Sequence, residues 1–91
     1  MAKVCIEAVA AGIRLKEYRE RNNLSLNKLG VMAGTDPKHI KKIENGQSEG
    51  TLLWYFHIMY YFGLDISHLF DERFDDILLE LIERETVNED N

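Results

Sequence analysis

Residues 24–46 read LSLNKLGVMAGTDPKHIKKIENG, and the first half of this stretch predicts a short helix. Ser25 can begin that helix, because its hydroxyl can accept a hydrogen bond from the first backbone N–H groups. Apolar side chains then recur at helical spacing, at Leu26, Leu29, Met32 and Ala33. Gly34 can adopt the positive φ that suits the residue just past a helix end. We therefore expect a helix over residues 26–33.

The second half of the stretch restarts a helix after a very short turn. Asp36 can cap this helix, and Pro37 at the first helical position loses no hydrogen bond that the helix needs. Two isoleucines three positions apart give the helix a buried edge, and Gly46 ends it. Two helices joined by such a short, glycine-containing turn form a helix-turn-helix. We expect its second helix over residues 37–45.

A set of residues at fixed spacings extends this pattern along the chain. They are Leu24, Ser25, Leu29, Gly34, Ile40, the run Ile43-Glu44-Asn45-Gly46, Leu52, Ile58, Gly63, Leu69 and Phe70. With these residues the chain resembles, over about residues 15–70, the Cro/repressor (XRE-type, lambda-repressor-like) helix-turn-helix DNA-binding family. The resemblance implies core positions for Leu15, Tyr18 and Leu24 and a partly buried salt bridge between Arg19 and Glu44.

The remaining sequence predicts further helices around this unit. They are a first helix over about residues 4–21, a fourth from Thr51 to Phe62 that stops at Gly63, a short helical turn within residues 64–70, and a last helix over about residues 72–85. Gly12 weakens the prediction that the first helix is unbroken. We expect an all-α fold, a compact five-helix lambda-repressor-like domain with an additional C-terminal amphipathic helix. Residues 1–70 would form the helix-turn-helix DNA-binding domain, and residues 71–91 a dimerisation helix with a frayed tail at residues 86–91.

The fourth helix is apolar on every side. Its core face would comprise Leu52, Tyr55, Phe56, Ile58, Met59 and Phe62. A helix that is apolar all round is buried all round, so its second face also needs cover. Either a partner subunit or the chain's own last helix could supply it, and we expect a homodimer. The predicted interface comprises Leu53, Trp54, His57, Tyr60 and Tyr61 of the fourth helix with Ile77, Leu78 and Leu81 of the last.

The charges of the chain are divided unequally between its halves. The net charge is −5, which by itself disfavours DNA as a partner. Residues 1–48, however, carry nine Lys or Arg and five Asp or Glu, whereas residues 49–91 carry two and eleven. The helix-turn-helix therefore lies in a half of net charge +4, and binding nucleic acid requires a local positive field rather than a positive total.

The third helix presents four polar side chains at the spacing of one helical face. They are Lys38, Lys41, Lys42 and Asn45. Like charges this close cost an isolated helix about 0.2–0.5 kcal/mol per pair, and an anionic partner would offset that cost. The helix dipole alone accounts for the two later lysines but not for Lys38.

The family resemblance implies a role for each candidate DNA-binding residue. Pro37, Lys38, His39 and Lys42 would face base edges in the major groove, where lysine suits the O6 and N7 acceptors of guanine. Pro37 can offer only apolar contact, and His39 either donates to a base or packs. Lys16, Lys28, Lys41 and Asn45 would contact phosphates. Three departures from the family pattern bear on affinity: Leu26 where glutamine is common, Lys28 where glutamate is common, and Glu49 in a loop that often carries basic residues.

These patterns predict a small cytoplasmic transcriptional regulator, a repressor, that binds a near-palindromic operator in double-stranded DNA as a homodimer through the helix at residues 36–45. Two alternatives remain open. The fold could serve as a protein–protein interaction module through the aromatic face of the fourth helix, or as an antitoxin whose acidic last helix binds a basic toxin. Nothing predicts catalysis, a cofactor or a metal, because the three histidines and the single cysteine lack metal-ligand spacing. No segment approaches the length of a membrane span.

Overall fold

Six helices and no strand make up the backbone of residues 4–89, which the computed structural model describes together with the side chains of residues 4–85. They are α1 (Ile6–Arg21), α2 (Leu26–Ala33), α3 (Pro37–Glu44), α4 (Leu52–Tyr60), α5 (Ile66–Leu69) and α6 (Glu72–Glu89). The predicted all-α class, with five helices and an additional C-terminal helix, is confirmed. None of the helices within this range is long and apolar enough to cross a lipid bilayer.

The helix-turn-helix is held by the local signals that predicted it. The Ser25 hydroxyl accepts a hydrogen bond from the Lys28 N–H at 3.0 Å, and the Asp36 carboxylate accepts one from the Lys38 N–H at 2.9 Å. Gly34 ends α2 with a φ of 67°. The predicted bounds of α2 are confirmed, and α3 ends one residue earlier than expected because Asn45 is its C-terminal cap.

The core lies around α1, which packs against α3, α5 and α6. Its fully buried members include Leu15, Leu29, Ile40, Ile43, Ile58, Met59 and Leu69. Helix α1 is unbroken at Gly12, although this glycine weakened the prediction of a continuous helix. A Cβ at Gly12 would overlap the Ile43 carbonyl oxygen and lie 3.0 Å from its carbonyl carbon. Glycine is therefore required where α1 crosses α3, because the two backbones nearly touch.

The predicted salt bridge between Arg19 and Glu44 is confirmed. The guanidinium donates through Nε to Oε2 at 2.7 Å and through Nη2 to Oε1 at 2.9 Å, so the pair is bidentate. Nη1 of Arg19 also donates to the Leu24 carbonyl at 2.8 Å. Hydrogen bonds from the guanidinium to Glu44 raise the pKa of Arg19 above its ordinary value. The pair joins the end of α1 to the end of α3.

A second buried arginine was not predicted. Arg14 is 2% exposed and donates to Asp71 at 2.6 Å, to Glu17 at 2.7 Å and to the Tyr18 hydroxyl at 2.7 Å. Asp71 also accepts a hydrogen bond from the Phe74 N–H at 3.0 Å, so one carboxylate both begins α6 and binds α1. Burial alone would raise the pKa of Asp71, but the Phe74 N–H and the guanidinium of Arg14 outweigh it and lower the pKa. This cluster and the buried Phe74 and Ile77 of α6 hold the last helix against α1.

Two apolar residues of α4 that were expected in the core are exposed. Leu52 is 65% exposed and Phe56 is 57% exposed, so these two predictions were wrong. The part of α4 that enters the core consists of Tyr55, Ile58 and Met59, at i, i+3 and i+4. Leu52 and Phe56 lie on the flank of that narrow stripe, and α6 packs along α1 instead of covering them. The helix α6 also continues to Glu89, four residues beyond its predicted end, while residues 90 and 91 of the predicted tail lie outside the described residues.

Candidate nucleic-acid interface

The outer face of α3 is polar and open to solvent. Lys38, Lys41, Lys42 and Asn45 are all exposed. On the opposite side of the helix Ile40, Ile43 and Glu44 are buried. The helix is therefore anchored along one side and presents the four side chains that the spacing assigned to a single face. We call these four residues the α3 outer face.

The two flanks of α3 pack against neighbouring helices. On one flank Pro37 is half-buried beside Gly30 of α2, where an added Cβ would lie 2.8 Å from the Pro37 ring. On the other flank the His39 ring meets the indole of Trp54 edge-to-face, with centroids 5.4 Å apart and planes at 81°. This contact is one of the two roles that the sequence left open for His39. Pro37 and His39 thus line the edges of the α3 outer face.

The exposed lysines differ from three of the five arginines in having no acidic partners among the described side chains. Among the side chains that the structure describes, the ion pairs of Arg14, Arg19 and Arg73 with carboxylates join helices to one another. None of the exposed lysines forms such a pair within the same range; they are Lys16, Lys28, Lys38, Lys41 and Lys42. The positive field of the N-terminal half therefore comes from lysines that are free to meet an anion.

Two departures from the family pattern have structural roles. The Glu49 carboxylate accepts a hydrogen bond from the Cys5 N–H at 2.9 Å, and this bond lowers the pKa of Glu49. Glu49 thus binds a backbone N–H at the start of α1, which has no side-chain cap of its own. Leu26 is half-buried and packs against the core. The sequence alone could not assign the role of Glu49, because Cys5 and Glu49 are 44 residues apart.

The residues predicted for a dimer interface fall into three groups. Leu53 is 81% exposed and Tyr60 73% exposed. Trp54, Tyr61, Leu78 and Leu81 are half-buried against the core of their own chain. Ile77 is only 3% exposed and lies in that core, so it has little surface to offer a partner.

His57 is exposed but engaged within the chain. Its Nε2 lies 2.7 Å from the Ala33 carbonyl oxygen and must donate, because a carbonyl can only accept. The described residues leave four large apolar side chains open on α4, namely Leu52, Leu53, Phe56 and Tyr60, which we call the α4 patch. Leu52 and Phe56 were missed as surface residues, although their i, i+4 spacing with Tyr60 already placed the three on one face.

The structural role of Arg14 was missed by the sequence analysis, although its position gave a signal. Arg14 lies three residues after Ala11 and four before Tyr18, so it falls on the apolar stripe of α1. A charge on such a stripe signals a buried partner.

Among the described residues, no group of three or more His, Cys, Asp and Glu side chains could hold a metal ion.

Comparison with known proteins agrees with this arrangement. The crystal structure of the clp gene regulator ClgR from Corynebacterium glutamicum has a similar fold, with a TM-score of 0.78 over 93% of this chain and 90% of that chain, at 15% sequence identity. No curated protein matches the chain significantly. A sequence model described as a helix-turn-helix domain matches residues 12–79, well over half of the chain. The chain therefore belongs to the XRE-type helix-turn-helix domain family.

Proposed function

We propose that this protein is a sequence-specific DNA-binding transcriptional regulator that reads its site with the α3 outer face. The observation that carries the proposal is the exposure of this face on a helix anchored within a helix-turn-helix, with its three lysines unpaired among the described side chains. A helix-turn-helix places the N-terminal part of its second helix in the major groove. The regulator structure with a similar fold supports this reading by analogy only.

The position of each side chain suggests its role on DNA. Lys38, in the first turn of α3, and Lys42, one turn later, would reach the O6 and N7 acceptors of guanine. Lys41 and Asn45 lie nearer the end of the helix and would bind phosphates, which position the protein without specifying sequence. Lys16 and Lys28 are exposed on the preceding helices and would add phosphate contacts.

The proposal is tested by selecting sites from a random pool of duplex DNA with the wild-type protein and with Lys38→Ala/Lys42→Ala. We expect the wild type to enrich a near-palindrome that the double variant fails to enrich. Each lost base contact should weaken binding to that site by roughly 5- to 150-fold. The matched control, Lys38→Arg/Lys42→Arg, keeps both charges and two side chains that can donate to guanine, so it should retain the salt dependence of binding and still enrich a guanine-containing site. Absence of wild-type binding even at low salt would contradict the function and favour a protein-binding module.

We also propose that the protein acts as a homodimeric repressor whose subunits meet through the α4 patch. Two copies related by a twofold axis would place their recognition helices roughly 34 Å apart, one turn of DNA, on a near-palindromic site. The support is the exposure of the four patch residues, since contiguous apolar surface marks a contact site. Leu78 and Leu81 of α6 could extend the contact, whereas Ile77 is left out because it is buried.

Placing a charge in the α4 patch should prevent the dimer from forming. We expect the wild type to scatter light with the mass of a dimer at micromolar concentration and Leu53→Glu to scatter with the mass of a monomer, because a buried carboxylate at the interface would lack a partner. Val31→Glu is the matched control, since Val31 is an aliphatic residue of α2 that is 83% exposed, close to the 81% of Leu53. A monomeric wild type, or a dimer unaffected by Leu53→Glu, would refute this interface.

A further inference from the structure

Besides its buried side, α3 has a packing contact at each of its two flanks, and these contacts resist rotation of the helix about its own axis. Pro37 lies against Gly30 of α2 on one side, and His39 meets Trp54 of α4 on the other. A helix with side chains has a radius of about 5–6 Å, so a roll of roughly 10° moves its outer surface by about 1 Å. Hydrogen bonds to bases tolerate much less, since their donor–acceptor distances span only about 2.7–3.2 Å. Whatever fixes the roll of α3 therefore decides which base edges its lysines can reach.

The Trp54 indole is well placed to fix that roll. It is packed edge-to-face on Tyr55 at 5.4 Å, and a Cβ at Gly50 would lie 2.8 Å from its ring. The backbone N–H of Trp54 donates a hydrogen bond to the Thr51 hydroxyl at 3.0 Å. The ring is thus held by its own helix and by the preceding loop, and it meets α3 through His39.

The indole N–H of Trp54 makes no hydrogen bond within the described chain, so the contacts of this side chain are packing contacts. Its indole Nε1 is buried, and none of the described residues accepts a hydrogen bond from it. A buried N–H without a partner destabilises the fold, and phenylalanine at the same position would remove that group. The indole is therefore not needed for a hydrogen bond within the described chain. Its contacts are packing contacts, and the one with His39 is the contact that reaches α3.

We propose that Trp54 is a positioning residue for DNA recognition, which holds His39 and thereby sets the roll of α3 that aligns Lys38 and Lys42 with their bases. This inference rests on the proposed DNA-binding function. It also changes the role assigned to Trp54, since the sequence placed this residue in a dimer interface. The half-buried ring faces the recognition helix of its own chain. The α4 helix would then touch the recognition helix with one side and carry the exposed patch on another.

The test compares Trp54→Phe with the wild type on the operator selected by the wild type and on single-base variants of that operator. The wild type should discriminate by roughly 5- to 150-fold per critical base pair. Trp54→Phe should reduce that ratio below the lower end of this range, while the variant still melts cooperatively and keeps its mass by light scattering. The matched control is Tyr61→Phe, which alters another half-buried aromatic residue beside α4 and should keep full discrimination.

A second variant keeps the test informative if Trp54→Phe fails to fold. His39→Leu retains the tryptophan and should lose the same discrimination, and the double variant should be no worse than either single one, because the two residues act through one contact. Trp54 is the only tryptophan of the chain, so its fluorescence should change in His39→Leu but not in His68→Gln.

The outcomes separate the two proposals. If the wild type enriches no site, the DNA-binding function itself fails. If the wild type discriminates and a folded Trp54→Phe discriminates as well as it does, the function stands and the positioning role is overturned, whether or not His39→Leu loses discrimination.

Discussion

Gly12→Ala should destabilise this protein by about 3 kcal/mol or more, although the same change in the middle of an ordinary helix stabilises it by up to about 1 kcal/mol. The reason is the crossing of α1 and α3, where a Cβ would overlap the Ile43 carbonyl oxygen. That oxygen belongs to helix backbone and cannot rotate away as a side chain can, so the two helices must separate. Domains of this size have only about 5–15 kcal/mol of stability in total, and one methyl group would remove a large part of it.

Urea denaturation followed by circular dichroism measures this effect. The control is Glu20→Ala, an exposed position in the same helix, which should change the free energy of unfolding by less than about 0.5 kcal/mol. A Gly12→Ala variant as stable as the wild type would show that α1 and α3 can move apart at little cost. The variant also bears on function, since the displaced partner is the proposed recognition helix.

Glu44→Gln should lower the free energy of unfolding by about 3–5 kcal/mol, because it leaves the Arg19 guanidinium inside the protein without its counter-charge. The Glu44 side chain is 3% exposed and the Arg19 side chain 11% exposed, so water can reach neither group freely. Arg19 cannot escape by losing its proton, since arginine stays charged in proteins. Its remaining hydrogen bond to the Leu24 carbonyl does not neutralise the charge.

Two comparisons distinguish the effect of leaving a buried charge without a partner from the effect of removing an ion pair. Arg73→Gln removes one member of the ion pair with Glu17, in which the Arg73 side chain is 51% exposed. This change should lower the free energy of unfolding by less than about 1 kcal/mol. Replacing both members of the buried pair, as Arg19→Met/Glu44→Leu, should cost less than Glu44→Gln alone, because no charge is then left buried. Chemical denaturation of the four proteins measures the differences. Equal losses in Glu44→Gln and Arg73→Gln would show that the buried pair is solvated after all.

The sequence determined the elements that depend on neighbouring residues. Ser25, Gly34 and Asp36 act within three residues of the groups they bind or the helices they end, so α2 and α3 could be predicted almost to the residue. The spacing of the α3 outer face followed from helical geometry alone, and burial of the opposite side agrees with it. The Arg19–Glu44 pair came from the resemblance to a family rather than from local chemistry.

Only the tertiary structure decided which side of each helix meets another. Arg14 reaches a carboxylate 57 residues away, and Glu49 reaches a backbone N–H 44 residues away, so no local pattern could pair them. Gly12 weakened the prediction of an unbroken first helix, because the α3 backbone that requires a glycine there is distant in sequence. Leu52 and Phe56 are as apolar as core residues, and they are exposed because α6 packs along α1 and leaves that side of α4 open. Composition and periodicity determine which residues can be buried, whereas the packing of distant helices determines which of them are.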